Sequence, residues 1–228
     1  MKIGGLEKFT VTDYPGKISC VVFTVGCNFR CPFCQNRQLV NGNVEEIDEE
    51  EVMDFLEKRQ GQLDGVVVTG GEAMIQTGLI DFLERIKDMG YLVKLDTNGS
   101  VPETLEKTVR DGLVDYVAMD IKAPLSEYDR ACGLKVNTDK IEKSIDFVMG
   151  LESYEFRTTA VPGIIDEEAV EKISKRIDWA KKFYLQQFRP KNTLDKEFED
   201  IKPLPKEKLE RFKEIAERYV QDCEIRNI

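Results

Sequence analysis

Three cysteines in one short stretch are the residues of this sequence best suited to chemistry. Cys27, Cys31 and Cys34 are separated by three and then two residues. Thiolates at such short spacings hold iron–sulfur clusters. The stretch holds no fourth cysteine, and the sequence has no histidine. A four-iron cluster on three thiolates leaves one iron without a protein ligand, and an open coordination position makes a metal site catalytic.

Structural zinc is the main alternative for these cysteines. Zinc sites of that kind close with four Cys or His ligands, so Cys20, Cys132 or Cys223 would have to complete the set from a distance. A disulfide is a weaker alternative, because three closely spaced cysteines leave an odd thiol. We therefore expect an iron–sulfur cluster and keep zinc open.

The bulk composition excludes several classes of protein. A chain of 228 residues fits one α/β domain, so we expect a single domain over residues 1–228. The formal net charge of −10 disfavours nucleic-acid and anionic-membrane partners, which require a basic face. No apolar run approaches the roughly 20 residues that span a bilayer. The N-terminus lacks the apolar core of a signal peptide, and the cysteines do not suggest a secreted scaffold, so we expect a cytoplasmic protein.

Short β-branched runs alternate with amphipathic stretches along the chain. This alternation predicts a parallel sheet with helices outside it, joined by right-handed crossovers. The predicted strands are Ile18–Val25, Gly65–Thr69, Leu92–Asp96, Tyr116–Asp120, Tyr154–Thr159 and Lys182–Gln187, with a possible edge strand at Cys223–Arg226. The predicted helices cover residues 48–59, 79–89, 102–110, 138–149, 167–179 and 205–221.

Polar residues follow several of these strands, where parallel α/β proteins bind their ligands. Gly70 and Gly71 allow a close backbone approach, and Glu72 offers a carboxylate to a cationic group, although a plain tight turn is the alternative. Thr97 and Asn98 are a second candidate pair, and their alternative role is to cap the next helix.

The strands at 116–120 and 154–159 also carry charged residues at or near their ends. Asp120 and Lys122 follow one another closely, and an ion pair between strand ends is their structural alternative. Arg157 can clamp a carboxylate with two parallel hydrogen bonds, and its alternative is a salt bridge at the rim. A buried carboxylate needs a positive partner, because burying it unpaired is costly.

The cysteine spacing, with Phe33 just before the last cysteine, resembles the cluster motif of the radical S-adenosylmethionine (SAM) superfamily. The segments Leu6–Phe9, Asp13–Lys17 and Val22–Asn28 resemble the activating enzymes of glycyl radical enzymes. Within that family the sequence is most similar to the activating proteins of anaerobic ribonucleoside-triphosphate reductases. The wider resemblance covers most of the chain, whereas the narrower one depends on residues 5–36.

The resemblance implies an α/β fold of the partial (β/α)6 barrel type, open on one side, with the cluster loop at residues 26–36. It implies reductive cleavage of SAM at a [4Fe–4S] cluster, which forms a 5′-deoxyadenosyl radical. That radical takes a hydrogen atom from a glycine of a partner enzyme such as anaerobic ribonucleotide reductase. The implied electron donor is flavodoxin- or ferredoxin-like. An acid–base dyad is not required, so the lack of histidine is no obstacle.

The resemblance also implies roles for individual residues. Those expected to hold the cluster are Cys27, Cys31 and Cys34. Those expected to contact SAM are Phe33, Gly70, Gly71, Glu72, Thr97, Asn98, Lys122, Arg157 and Val161, with Gln187 and Arg189 as weaker candidates at the adenine. Asp96 and Asp120 are expected at a monovalent cation. Phe33 shields the cluster in this scheme, and a core position is its alternative.

Two positions depart from the family pattern. Ala73 stands where proline usually follows the Gly-Gly-Glu segment, and Gln35 stands where close relatives often have histidine. Three other functions therefore stay open. They are a radical SAM reaction on a small molecule, as in carboxy-deazaguanine synthases, a zinc-binding module without catalysis, and a member of the family that has lost its activity.

Overall fold

The computed structural model describes residues 1–227, and their contacts group them into two compact units. The first unit contains Met1–Asn28, Gln38–Thr97 and Val101–Val117. The second contains Phe29–Arg37, Asn98–Ser100 and residues 118–227. The prediction of one domain over residues 1–228 stays a prediction.

The first unit is a small sheet with helices. Its strands lie side by side in chain order, and β1 is antiparallel to β2, whereas β2, β3 and β4 are parallel. The strands are β1 (Ile3–Thr10), β2 (Ser19–Thr24), β3 (Gly65–Gly70) and β4 (Leu92–Thr97). The helices are α1 (Arg37–Asn41, whose first residue belongs to the second unit), α2 (Glu49–Lys58), α3 (Leu79–Asp88) and α4 (Pro102–Arg110).

Local sequence explains these elements. Strand β2 is buried along most of its length, as expected for a parallel strand covered on both faces. Helix α2 begins after Asp48, whose side chain accepts a hydrogen bond from the Glu50 N–H at 3.1 Å. Helix α2 buries one apolar face. Helix α4 begins at Pro102, a residue that suits the first helical turn.

The second unit repeats the alternation of strands and helices. Strands β6, β7 and β8 are parallel, and the N–H of Ile121, just after β5, donates to the Arg157 carbonyl at 2.8 Å. The strands are β5 (Tyr116–Asp120, whose first two residues belong to the first unit), β6 (Tyr154–Ala160), β7 (Phe183–Gln187) and β8 (Cys223–Arg226). The helices are α5 (Tyr128–Cys132), α6 (Thr138–Met149), α7 (Glu167–Arg176) and α8 (Lys206–Ala216).

The predicted strands and long helices are all present, and the α/β fold class is confirmed. Strand β1 was not predicted, because its paired glycines and exposed charged residues lower its β-propensity. Helix α7 ends at Arg176, before the predicted 179, since Trp179 has a left-handed φ of 65°. Helix α8 ends at Ala216, and turns replace its predicted end at 221. Within residues 1–227, none of the helices has the length and apolarity to cross a membrane.

Candidate functional site

In the first unit, the start of the cysteine loop is bonded to the Gly-Gly-Glu segment. Gly26, which directly precedes Cys27, donates its N–H to the Leu39 carbonyl at 2.9 Å. The Gly26 carbonyl accepts the N–H of Glu72 at 2.9 Å, and the N–H of Gly71 donates to Thr24 at 2.9 Å. The end of β2 and the turn after β3 are therefore fixed to one another through backbone atoms.

The two glycines of that turn are required by the close approach of the backbones. A side-chain carbon on Gly71 would lie 1.9 Å from the Gly26 carbonyl oxygen. One on Gly70 would lie 2.4 Å from the Thr24 nitrogen, and Gly70 also has a φ of 113°, where other residues are strained. The two glycines thus allow the backbone of this turn to pack directly against the end of β2. The predicted contact of both glycines with SAM stays a prediction.

Glu72 connects the ends of β3 and β4. Its side chain is buried, and its Oε1 accepts hydrogen bonds from Thr97 Oγ1 at 2.7 Å and from the Met74 N–H at 3.1 Å. The second bond begins a short 3₁₀ helix, Ala73–Ile75, in which Ala73 occupies the expected proline position. The structure therefore brings together the predicted residues Glu72 and Thr97, whose contacts with SAM stay predictions.

Asp96, at the end of β4, is bonded to two side chains of the same unit. Lys94 Nζ lies 2.6 Å from its Oδ1, and Thr69 Oγ1 donates to its Oδ2 at 3.1 Å. Lys94 is 2% exposed, so this is a nearly buried ion pair. The sequence analysis missed Lys94, although a lysine inside an apolar strand is an unusual residue that could have drawn attention to it.

In the second unit, a turn holds Cys31 and Cys34. The N–H of Cys34 donates to the Cys31 carbonyl at 3.0 Å. The stretch after β7 fastens this turn, because Leu194 donates to the Cys34 carbonyl and Asp195 to that of Pro32, each at 2.9 Å. Phe33, which lies between these two cysteines in the sequence, is buried, as expected if it is a core aromatic residue.

Cys132 is a neighbour of Cys31 that spacing along the chain did not indicate. Its side chain is hydrogen-bonded to that of Cys31 and, against the effect of burial, holds the pKa of Cys31 below its usual value. The Cys132 carbonyl accepts the Arg30 N–H at 2.9 Å, which places the end of α5 on the cysteine loop. Burial raises the pKa of Cys34 instead. The sequence analysis placed no helix between Asp120 and Thr138, so the contact of α5 with the cysteines was not foreseen.

Asp120, Lys122 and Arg157 form one ion-pair network. Asp120 lies 3.0 Å from Lys122 Nζ and 2.7 Å from Arg157 Nε. Burial alone would raise the pKa of Asp120, but Arg157 and Lys122 outweigh it and hold that pKa well below its usual range. Burial opposes the charge of Lys122, yet Asp120 and Cys31 raise its pKa above its usual value. The ion-pair alternatives are thus confirmed, and the contacts of these residues with SAM stay predictions.

Other predicted residues have local partners. Asn98 Oδ1 accepts the Ser100 N–H at 2.9 Å, and Val101 stands at the N-cap of α4, so the capping alternative for Asn98 is wrong. Gln35 Nε2 donates to the Arg189 carbonyl at 2.6 Å, a bond that fastens the residue after Cys34. The structure buries Val161 completely and directs Gln187 Nε2 to the Leu204 carbonyl at 2.7 Å. Their predicted adenine contacts stay predictions.

The residues present suit an iron–sulfur cluster by their chemistry. All six cysteines lie in the described part of the chain and none is in a disulfide. Among residues 1–227, no three His, Cys, Asp or Glu side chains lie close enough to hold a single metal ion. A four-iron cluster differs from a single ion, because each thiolate binds a different iron atom. Thiolates are also the usual ligands of such clusters.

The family follows from comparison with known proteins. A model of the radical SAM superfamily matches residues 21–176. The chain belongs to the radical SAM superfamily. Enzymes of this superfamily use a [4Fe–4S] cluster and SAM, which are therefore the cofactors of this radical SAM enzyme. The predicted family, the enzyme class and two of the predicted cofactors, the [4Fe–4S] cluster and SAM, are confirmed, whereas the monovalent cation stays a prediction.

The relatives of this radical SAM enzyme have names that describe two different activities. A Methanocaldococcus jannaschii protein with the provisional name of a glycyl-radical enzyme activating enzyme is 34% identical over 99% of this chain and 96% of its own. A 7-carboxy-7-deazaguanine synthase of Methanopyrus kandleri is 33% identical over 49% of this chain and 52% of its own. A crystal structure of a domain of pyruvate-formate lyase-activating enzyme from Bacteroides vulgatus is 20% identical, covers 72% of this chain and 99% of that domain, and has a TM-score of 0.58. This likeness supports the barrel-type fold of the superfamily.

Gly71→Ala tests the close approach of the two backbones. The added carbon would lie 1.9 Å from the Gly26 oxygen, so we expect the free energy of unfolding to fall by about 1–3 kcal/mol. Urea denaturation measures this change, and iron content after reconstitution should fall with it. Gly150→Ala is the control, because the φ of Gly150 is −81° and the added carbon would lie 3.4 Å from the Phe147 carbonyl oxygen. Equal stability of Gly71→Ala and the wild type would contradict the proposed constraint.

Asp120→Asn tests the ion-pair network through its pH dependence. A carboxylate whose folded pKa is depressed stabilises the fold above its unfolded pKa of about 3.9, and this contribution disappears as the pH falls toward the folded value. At pH 7 we expect a loss of about 1–3 kcal/mol in the free energy of unfolding of the apoprotein. Denaturation at several pH values should show the loss shrinking below about pH 4.

The matched control for this experiment is Asp111→Asn, because Asp111 pairs with Lys107 on the exposed surface. We expect its effect to stay within about 0.5 kcal/mol at every pH. A loss for Asp120→Asn that does not change with pH would show that the charge of Asp120 is not what stabilises the fold.

Cys132→Ala tests the contact between the two thiols. Removal of the hydrogen bond should raise the pKa of Cys31, since that bond is the main cause of its lowered value. An NMR titration of the reduced apoprotein, labelled with ¹³C at the cysteine Cβ atoms, measures the shift directly. Cys223→Ala removes another buried thiol and should leave the Cys31 titration unchanged. An unchanged titration in Cys132→Ala would rule out the contact.

Proposed function

We propose that this radical SAM enzyme installs a glycyl radical on a partner enzyme. The observation that carries the proposal is the 34% identity, over 99% of this chain, to the relative with the provisional name of a glycyl-radical enzyme activating enzyme. The match to a 7-carboxy-7-deazaguanine synthase spans only half of the chain, so it supports a shared cofactor chemistry more than a shared substrate. Action on a small molecule is therefore the second candidate function.

In this proposal Cys27, Cys31 and Cys34 hold the cluster, one iron atom to each thiolate. When bound, a reduced [4Fe–4S] cluster and SAM supply a one-electron cleavage that yields methionine and the 5′-deoxyadenosyl radical that takes a hydrogen atom from the partner's glycine. The cofactors carry the difficult chemistry, and the protein binds, orients and excludes water.

The first unit positions the methionine part of SAM in this proposal. The Gly26–Glu72 hydrogen bond fixes the Gly-Gly-Glu backbone beside the start of the cysteine loop. Because Gly70 and Gly71 lack side chains, their polar backbone atoms can approach a ligand closely. The bond between Glu72 and Thr97 keeps the ends of β3 and β4 in register with this backbone.

The second unit supplies shielding and charge. Phe33 lies between Cys31 and Cys34 in the sequence, and its side chain is buried. In this proposal it keeps water away from the cysteine loop. Lys122 remains charged, because Asp120 and Cys31 raise its pKa, so it can attract the SAM carboxylate or a thiolate-bound cluster. Arg157 pairs with Asp120 through its Nε and is the second basic side chain that we assign to the same carboxylate.

We assign the partner to the anaerobic ribonucleoside-triphosphate reductases, on the strength of the resemblance in residues 5–36. An electron donor of the flavodoxin or ferredoxin type would reduce the cluster. Six cysteines outside disulfides suit a reducing compartment, so we place the enzyme in the cytoplasm.

Anaerobic assay of the reconstituted protein tests this function. With dithionite, SAM and an anaerobic ribonucleotide reductase, we expect 5′-deoxyadenosine and an EPR doublet from a glycyl radical. Cys31→Ala should lower both by at least about 100-fold, because one iron atom loses its ligand. Cys223 lies in β8, outside the cysteine loop, so Cys223→Ser should retain both the 5′-deoxyadenosine and the EPR doublet.

The outcomes separate the candidate functions. 5′-Deoxyadenosine without a doublet would contradict the proposed partner, and product formation from the substrate of 7-carboxy-7-deazaguanine synthases would establish the second candidate. A colourless, zinc-loaded protein that forms no 5′-deoxyadenosine would contradict radical chemistry altogether.

A further inference from the structure

We propose that the ammonium group of Lys94 takes the place of the monovalent cation that the family resemblance implies beside Asp96. This radical SAM enzyme would then bind its cofactor without sodium or potassium ions. The inference concerns the superfamily's cofactor SAM and does not depend on the identity of the partner enzyme.

The geometry at Asp96 carries this inference. Lys94 and Asp96 are two positions apart on β4, so their side chains leave the same face of the strand. Lys94 Nζ lies 2.6 Å from Asp96 Oδ1, and Thr69 Oγ1 donates to Oδ2 at 3.1 Å. Each carboxylate oxygen thus has a donor from the protein itself, and one of the donors carries the positive charge that a cation would bring.

Burial makes this arrangement difficult to replace. The Lys94 side chain is only 2% exposed. An ammonium group that is shielded from water in this way is costly unless it is paired. A metal ion at Asp96 would repel the Lys94 ammonium and weaken the ion pair between Lys94 and Asp96. The residues present therefore do not fit a cation at Asp96.

The other predicted ligand of the cation is engaged in the same way. Asp120 lies 3.0 Å from Lys122 Nζ and 2.7 Å from Arg157 Nε, within the second unit. Each of the two aspartates thus has basic partners from its own unit. The need of a buried carboxylate for a positive partner, which suggested the cation, is met by the side chains of the chain.

Salt dependence of the wild-type protein is the first test. SAM affinity of the anaerobically reconstituted protein is measured in sodium, potassium or tetramethylammonium chloride at equal ionic strength, because tetramethylammonium is too bulky to bind between carboxylate oxygens. We expect the dissociation constants to agree within about twofold, since no cation site remains to be filled. Binding at least about fivefold tighter in sodium or potassium would overturn the proposal.

Lys94→Met removes the charge and keeps most of the length of the side chain. Without the positive charge of Lys94 beside Asp96, we expect SAM affinity in tetramethylammonium to fall at least about tenfold and to recover in sodium or potassium. Lys87→Met is the matched control, because Lys87 pairs with Asp115 away from Asp96 and should give no cation dependence. A Lys94→Met variant that binds SAM like the wild type in all three salts would contradict the role of Lys94.

A second measurement does not require SAM. The thermal midpoint of the apoprotein should be the same in the three salts for the wild type, whereas sodium or potassium should raise it for Lys94→Met, because a ligand that binds only the folded state stabilises it. If Lys94→Met does not fold, the wild-type midpoint still decides: a rise in sodium or potassium over tetramethylammonium would overturn the proposal, and equal midpoints support it. Loss of SAM binding in every salt with unchanged midpoints would count against the cofactor site and not against this inference.

Discussion

The backbone contact between Gly26 and Glu72 is the constraint on which the candidate site depends. It places the peptide before Cys27 against the turn after β3, and it leaves no space for a side chain at Gly71. A short loop would otherwise be free to carry its thiol in many directions. The hydrogen bonds on both sides of Gly26 fix the loop where it begins, and the bond from Leu194 to Cys34 fixes it where it ends. Backbone hydrogen bonds thus hold each end of the loop within its own unit.

Charge at the ends of the strands follows a second rule. Asp96 and Asp120 are each neutralised by basic side chains of the same unit, and Glu155, which is fully buried, pairs with Arg226 at 2.8 Å. Breaking a buried pair by removing one partner is strongly destabilising. Within each unit the positive and negative groups are therefore fixed in position, which lowers the cost of ordering them when a ligand binds.

The sequence predicted the framework well for physical reasons that are local. Strand β5 and helix α6 have the bounds that hydrophobic periodicity predicted, Tyr116–Asp120 and Thr138–Met149. The cysteine motif and the Gly-Gly-Glu segment could be recognised from the sequence itself, because the residues of each motif lie within one short stretch. The ion pair of Asp120 with Lys122 was also foreseen, because both residues follow the same strand.

What the sequence did not reveal depends on pairing between distant residues. Strand β1 has a weak intrinsic preference, and it is a strand because β2 is beside it. Cys132 is about a hundred residues from Cys31, and only the position of α5 brings the two thiols together. Lys94 is unusual as a lysine inside an apolar strand, but its pairing with Asp96 becomes known only from the folded structure. Periodicity has no access to contacts of this kind.

A crystal structure of the anaerobically reconstituted protein with SAM, with the metals identified by anomalous scattering, would decide whether the cysteines hold a cluster. We expect four iron atoms, three of them bound by Cys27, Cys31 and Cys34, with the fourth bound by SAM beside Gly70 and Gly71. A single zinc ion closed by four protein ligands, or SAM bound away from the cysteine loop, would contradict this expectation.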